Sequence, residues 1–82
     1  MNPSLLKQIQ IPLTLVMGTK NISLEDFATL KEGSLGVLDT YAGEPATLMA
    51  GEKPVALAEV VVIDELFGYR ITKMLIETGK EV

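Results

Sequence analysis

The stretch AEVVVIDELFGYRIT, Ala58 to Thr72, sets four β-branched apolar residues in a row: Val60, Val61, Val62 and Ile63. Such residues favour a strand, and a strand sends successive side chains to opposite faces. If Val61 and Ile63 face a core, Val60 and Val62 face away from it. Pairing Ile63 with Tyr69 across the loop Asp64 to Gly68 puts Val61, Ile63, Tyr69 and Ile71 on one side. Val60, Val62, Arg70, Thr72 and Met74 then share the other. A change of register exchanges partners but makes neither face polar. Each Val left in water forgoes roughly 1.5–3 kcal/mol of burial, so both faces call for a cover.

Chain length decides where that cover comes from. At 82 residues there is one domain at most, and a domain this small buries only about 60–65% of its unfolded surface. Small cores are commonly reinforced by disulfides, metals or oligomerisation. With no Cys and no His, disulfides and the common zinc sites are excluded. Association is the remedy left, and an apolar content of 48% supports it. A formal charge of −4, with only seven Lys and Arg scattered along the chain, argues against nucleic acid or an anionic membrane as partner. A small β dimer acting as a DNA-binding regulator is therefore a remote alternative.

Along the chain, Asn2-Pro3 suits a helix start, with Leu5, Leu6 and Ile9 on one apolar side. Ile9, Ile11, Leu13 and Leu15 alternate as a strand does, with Pro12 requiring an edge or bulge. Gly18 to Asn21 reads as a turn. Ser23-Leu24-Glu25-Asp26 reads as a capped helix start, with Leu24, Phe27 and Ala28 as its buried stripe and Gly33 as its stop. Extended segments are expected at 35–38, Ala46 to Ala50, Val55 to Ile63 and Tyr69 to Leu75. Turns are expected at Asp39 to Pro45 and Gly51 to Pro54, and residues 77–82 are expected to fray. The fold class is mainly β with one or two short helices, in a single domain over 1–82.

Catalysis is poorly supplied. Ser23 is committed to capping, Ser34 lies in a turn, and neither has a neighbouring base, so no catalytic residue is assigned and no enzyme is expected. Glu25-Asp26 and Asp64-Glu65 are too sparse for a Ca²⁺ site, which takes 6–8 oxygen ligands. Neither a metal nor a cofactor is expected. Gly33-Ser34-Leu35-Gly36 has the spacing of a nucleotide-clamping GXXG loop but no basic residue between its glycines. Asn21-Ile22-Ser23 matches a glycosylation sequon of the kind that arises by chance. Glu59 and Arg70, single charges in apolar strands, can approach each other in a hairpin or reach partners across a subunit boundary; a partly buried ion pair or hydrogen-bonded network that fixes register is expected rather than a functional role. No segment reaches the roughly 20 apolar residues of a spanning helix, and the opening is a poor signal peptide. A cytoplasmic chain is expected.

The run Gly43-Glu44-Pro45, then Glu59-Val60-Val61-Val62-Ile63, then Phe67-Gly68-Tyr69-Arg70-Ile71-Thr72 resembles the SpoA domain family. Within it, the likeness is greatest to the C-terminal domain of FliN-type flagellar motor switch proteins, with SctQ-class type III secretion proteins close behind. It extends from about Ile9 to Glu77. Departures at Gly51-Glu52, Ala58, Ile11-Pro12 and Val16 leave both branches open. The resemblance implies an intertwined, saddle-shaped homodimer, possibly a tetramer or larger ring. It implies a non-enzymatic part of the cytoplasmic ring at the flagellar basal body, membrane-associated through the motor, acting in rotation switching and export docking. The alternative is the corresponding ring of an injectisome. Implied partners are a second copy, FliM-type ring proteins and a FliH-type regulator of the export ATPase. The family's apolar docking patch falls on Ala42, Val60, Val61 and Val62. Alternation divides these between faces, so the patch is either Val60 and Val62 with Ala42, or Val61 alone. Gly43, Glu44, Pro45, Glu59, Gly68 and Arg70 are implied to be structural or dimer-related.

Overall fold

A computed structural model describes residues 3–77. Helix α1 spans Pro3–Gln8; the expected Asn2 cap lies outside the described residues, as does most of the expected frayed tail. The Ile9 amide still donates to the Leu5 carbonyl (3.2 Å), so the helix end takes residues that alternation assigned to the first strand. Strand β1 accordingly covers Leu13–Val16 rather than starting at Ile9. Pro12 sits just before it, its carbonyl accepting from the Gly51 amide (2.9 Å), and β1 is an edge strand as a proline there requires.

Between β1 and β2 the chain leaves the sheet in a long excursion. Helix α2, Leu24–Ala28, starts where Ser23 Oγ accepts from the Asp26 amide at 3.0 Å. It stops at Thr29, whose amide and hydroxyl both donate to the Asp26 carbonyl. Gly33 is therefore not its stop; it lies at φ +89° in the next turn, where the Ser34 amide donates to the Lys31 carbonyl. The expected buried stripe is not buried: Leu24 is 81% and Phe27 61% exposed. Nor do residues 35–38 form a strand. Both differences have one cause: the excursion's apolar residues have no layer of their own chain to pack against.

The sheet is antiparallel in the order β1-β2-β3-β4, with β2 Ala46–Ala50, β3 Lys53–Ile63 and β4 Leu66–Met74. Its buried centre consists of Ala46, Leu48, Ala56 and Ala58. They share one face, because Ala46 pairs with Ala58 and Leu48 with Ala56. Three of the four are alanines, so this centre buries little apolar area.

The β3–β4 hairpin is tighter than the sequence suggests. Ile63 pairs with Leu66, not Tyr69, and only Asp64 and Glu65 make the turn, at φ 49° and 71°. Positive φ at both central residues is what a two-residue type I′ hairpin demands. Val60 thus faces Tyr69 and Val62 faces Phe67, while Val61 faces Gly68. The register differs from the expected one by three residues, an odd number, so Tyr69 and Ile71 move to the face of Val60 and Val62. Below, a bulge makes Thr72 the extra residue, and its hydroxyl donates to the Leu57 carbonyl (3.2 Å).

Strand lengths then set the shape. β2 has five residues and ends its pairing at Ala58, whereas β3 continues to Ile63. Beyond Ala58 the hairpin is a two-stranded ribbon. The radius of gyration is 17.1 Å and the long axis 52 Å, against about 12 Å for the radius of a compact chain of this length.

Candidate functional site

The ribbon presents two apolar faces. The first carries Val60, Val62, Phe67, Tyr69 and Ile71, in line with the buried Ala56 and Ala58 of the sheet. It continues the core face outward, but without a cover: Val62 is 68% and Phe67 85% exposed. The second carries Val61, Ile63 and Leu66 around Gly68, with Glu59 and Arg70 at its inner end. A Cβ at Gly68 would lie 2.8 Å from Ile63 Cδ1 and 3.4 Å from Val61 Cγ2, so a side chain there would displace the end of the Ile63 side chain. Its bare backbone lets those two side chains lie flat across the strand pair.

Glu59 and Arg70 are directly opposed and form the expected ion pair, Arg70 Nη1 donating to Glu59 Oε1 at 3.0 Å. The pair is not partly buried as expected. The Arg70 side chain is 72% and that of Glu59 48% exposed, because the ribbon has run clear of β2. In that setting the pair contributes at most about 1 kcal/mol.

The first face ends in a cleft of about 370 Å³ whose walls include Val60, Ala42, Met17, Leu38, Tyr41 and Ala46. Ala42 reaches it on a tight turn, where the Glu44 amide donates to the Tyr41 carbonyl (3.1 Å) and Gly43 takes φ +92°. Pro45 follows and releases the chain into β2. The GEP motif is thus the turn that brings Ala42 to Val60. Of the four residues marked as a docking patch, Ala42 and Val60 line one cleft, Val62 extends it along the same face, and Val61 lies on the opposite one.

A second concavity, about 640 Å³, lies inside the excursion and is lined by Ile22, Leu30, Leu35, Val37 and Leu38, with Lys20 among its polar residues. Its two ends are clasped together. The Asp39 carboxylate accepts from the Thr19 amide (2.9 Å), the Thr19 hydroxyl (3.0 Å) and the Thr40 hydroxyl (3.1 Å). In return the Asp39 amide donates to the Thr19 carbonyl at 3.0 Å. Chiefly through the Thr19 amide, these bonds hold the Asp39 carboxyl below its usual pKa. Gly18 completes the neck: a Cβ there would lie 2.9 Å from Thr40 Oγ1 and 3.1 Å from Leu38 Cβ. Sequence reasoning missed this clasp, since no local motif links residues twenty positions apart. Nor did it assign Phe67 and Tyr69 to the face of Val60 and Val62, which depends on the turn type.

Comparison with known proteins matches residues 4–75 to the family model described as type III flagellar switch regulator (C-ring) FliN C-term. The flagellar motor switch protein FliN of Borreliella burgdorferi is 40% identical over 74 residues, which are 90% of this chain and 66% of that protein. The flagellar motor switch phosphatase FliY of Bacillus subtilis is 38% identical over 74 residues, 90% of this chain and 20% of that protein. The chain therefore spans less than two thirds of either relative. Among solved structures, the C-terminal domain of HrcQb from Pseudomonas syringae pv. phaseolicola superposes with a TM-score of 0.72 at 28% identity. That match covers 87% of this chain and 99% of the other.

Proposed function

The chain belongs to the family of the FliN C-terminal domain, the switch regulator of the flagellar C-ring, and from that premise we propose that it is a non-enzymatic, ring-building unit. It acts as an intertwined homodimer, assembles with FliM-type switch proteins and docks a FliH-type export regulator. Its place is the cytoplasmic ring at the flagellar basal body. Among the described residues no helix is long and apolar enough to cross a membrane, and the link to the membrane runs through the motor.

The observation that carries this reading is the ribbon beyond β2, apolar on both faces. An isolated two-stranded hairpin is at best marginally stable in water, so this one needs a partner on each side. Surface area supports the same conclusion. The isolated chain exposes 7592 Å², whereas a folded monomer of its mass is expected to expose about 4,800 Å². Covering that excess in both chains of a pair hides about 5,600 Å², the range of obligate homodimers.

The face of Val60 and Val62, with Ala42 beside it, is the docking patch for the export regulator. Val61, on the other face, serves association. Gly43, Glu44 and Pro45 present Ala42, and Gly68 flattens the second face; Glu59 and Arg70 register the ribbon. The whole of 1–82 works as one domain. The ring of an injectisome is the second reading, favoured by the fold shared with HrcQb, an SctQ-class protein. Titrating the chain with a FliH-type regulator tests the docking. Micromolar binding that depends on Val62 supports it, and no binding by a folded dimer rejects it.

A further inference from the structure

We propose that Thr19 and Asp39 are the positioning residues of the docking cleft, their clasp holding the wall that carries Tyr41 and Ala42 in place beside Val60. The proposal rests on the docking reading above and names residues outside the apolar patch on which docking depends.

The two sides of the cleft are held by different means. Val60 and Ala46 belong to the sheet, where Val60 pairs with Tyr69 and Ala46 with Ala58. Leu38, Tyr41 and Ala42 belong to the excursion. Residues 17–45 join no ladder, and the one regular element among them is the five-residue α2. The excursion's wall therefore needs a tether of its own, and the clasp stands where one is required. Thr19 lies just beyond Val16, which the sheet anchors by pairing it with Thr47. Asp39 lies just ahead of Tyr41 and Ala42. Thr19 engages both carboxylate oxygens of Asp39, one through its amide at 2.9 Å and the other through its hydroxyl at 3.0 Å. The Asp39 amide donates back to the Thr19 carbonyl at 3.0 Å, so backbone and side chain fix the join together. Bonds to a charged acceptor are stronger than neutral ones. The clasp also closes the loop of residues 19–39, whose freedom would otherwise pass to the cleft wall. A cleft whose wall is in place only part of the time binds with an affinity reduced by that fraction.

A FliH-type regulator is titrated calorimetrically into the full wild-type chain and into Asp39→Ala, Thr19→Val and Thr19→Ser, each shown by urea unfolding to be folded under the titration conditions. Asp39→Ala should raise the dissociation constant roughly three- to ten-fold, as expected when exposed hydrogen bonds to a charged group are lost. Thr19→Val keeps the backbone bonds and loses that of the hydroxyl, so its effect should be smaller. Thr19→Ser restores the hydroxyl and should bind as the wild type does. Amide ¹⁵N relaxation adds a readout that general destabilisation does not produce: order parameters at Tyr41 and Ala42 should fall in Asp39→Ala while those of β2 and β3 hold. If Asp39→Ala binds as tightly as a binding wild type, the positioning role is overturned and docking stands. Loss of order spread evenly over the sheet overturns it as well. Should Asp39→Ala fail to fold, the threonine variants decide, and equal binding by Thr19→Val and Thr19→Ser overturns the proposal. No binding by the folded wild-type dimer instead overturns the docking reading, and this inference falls with it.

Discussion

Replacing the three valines one at a time separates the two faces of the ribbon. Val→Ala removes two methyl-sized groups, worth about 0.8 kcal/mol each when fully buried. Val62 is 68% exposed, so only that fraction remains to be gained on docking. The expected loss is therefore about 1 kcal/mol, or roughly six-fold in the dissociation constant. Because Val62 buries so little in its own chain, Val62→Ala should leave the unfolding midpoint nearly unchanged. Val60 is only 36% exposed and lines the cleft with Ala42, so Val60→Ala should lower both stability and docking. Val61→Ala should leave docking intact and weaken self-association. Calorimetric titration with a FliH-type regulator, alongside urea unfolding of each variant, reads all three. If Val61→Ala weakens docking as much as Val62→Ala does, the assignment of faces is wrong.

Three further outcomes follow from the geometry. The folded-state pKa of Asp39 is depressed, so its contribution to stability is present above the unfolded value of about 3.9 and is lost as pH falls through the folded one. In denaturant titrations the gap between wild type and Asp39→Ala should shrink as pH drops from about 5 toward 3; a constant gap refutes the role of the carboxylate charge. A double-mutant cycle on Glu59 and Arg70 should give a coupling below about 1 kcal/mol that fades with added salt, and a larger, salt-insensitive coupling points to a buried pair. Replacing Asp64-Glu65 by Asn-Gly should stabilise the hairpin by about 0.5–1 kcal/mol in thermal unfolding, since Glu65 now holds φ 71° without a glycine's freedom. A lower melting temperature argues against the type I′ turn.

Local chemistry was readable from the sequence, whereas long-range geometry was not. Ala46 to Ala50 is a strand as expected, and Ser23 caps a helix because a hydroxyl needs only the amide three residues on. The double-sided hydrophobicity at Val60 to Ile63 is legible in the sequence and falls on the part of the hairpin that extends beyond β2. The turn was misread because Asp64-Glu65 lacks the Asn-Gly signature, and that choice moved every β4 residue relative to β3. The stripe of Leu24, Phe27 and Ala28 was read as buried because periodicity records which side a residue faces, not which chain covers it. Leu35, Val37 and Leu38 carry the same ambiguity: apolar and extended in pattern, they line a groove rather than join a ladder. Within the proposed docking patch, sequence alone divided the valines between faces, and only the register joined Val60 and Val62 to Phe67 and Tyr69.

In the proposed assembly the chain completes its core with a second copy of itself. Sedimentation equilibrium over a dilution series from the micromolar range downward tests this directly. The expected result is a dimer or larger mass at micromolar concentration. A monomer mass that stays constant across the series, from a chain that still unfolds cooperatively, contradicts it.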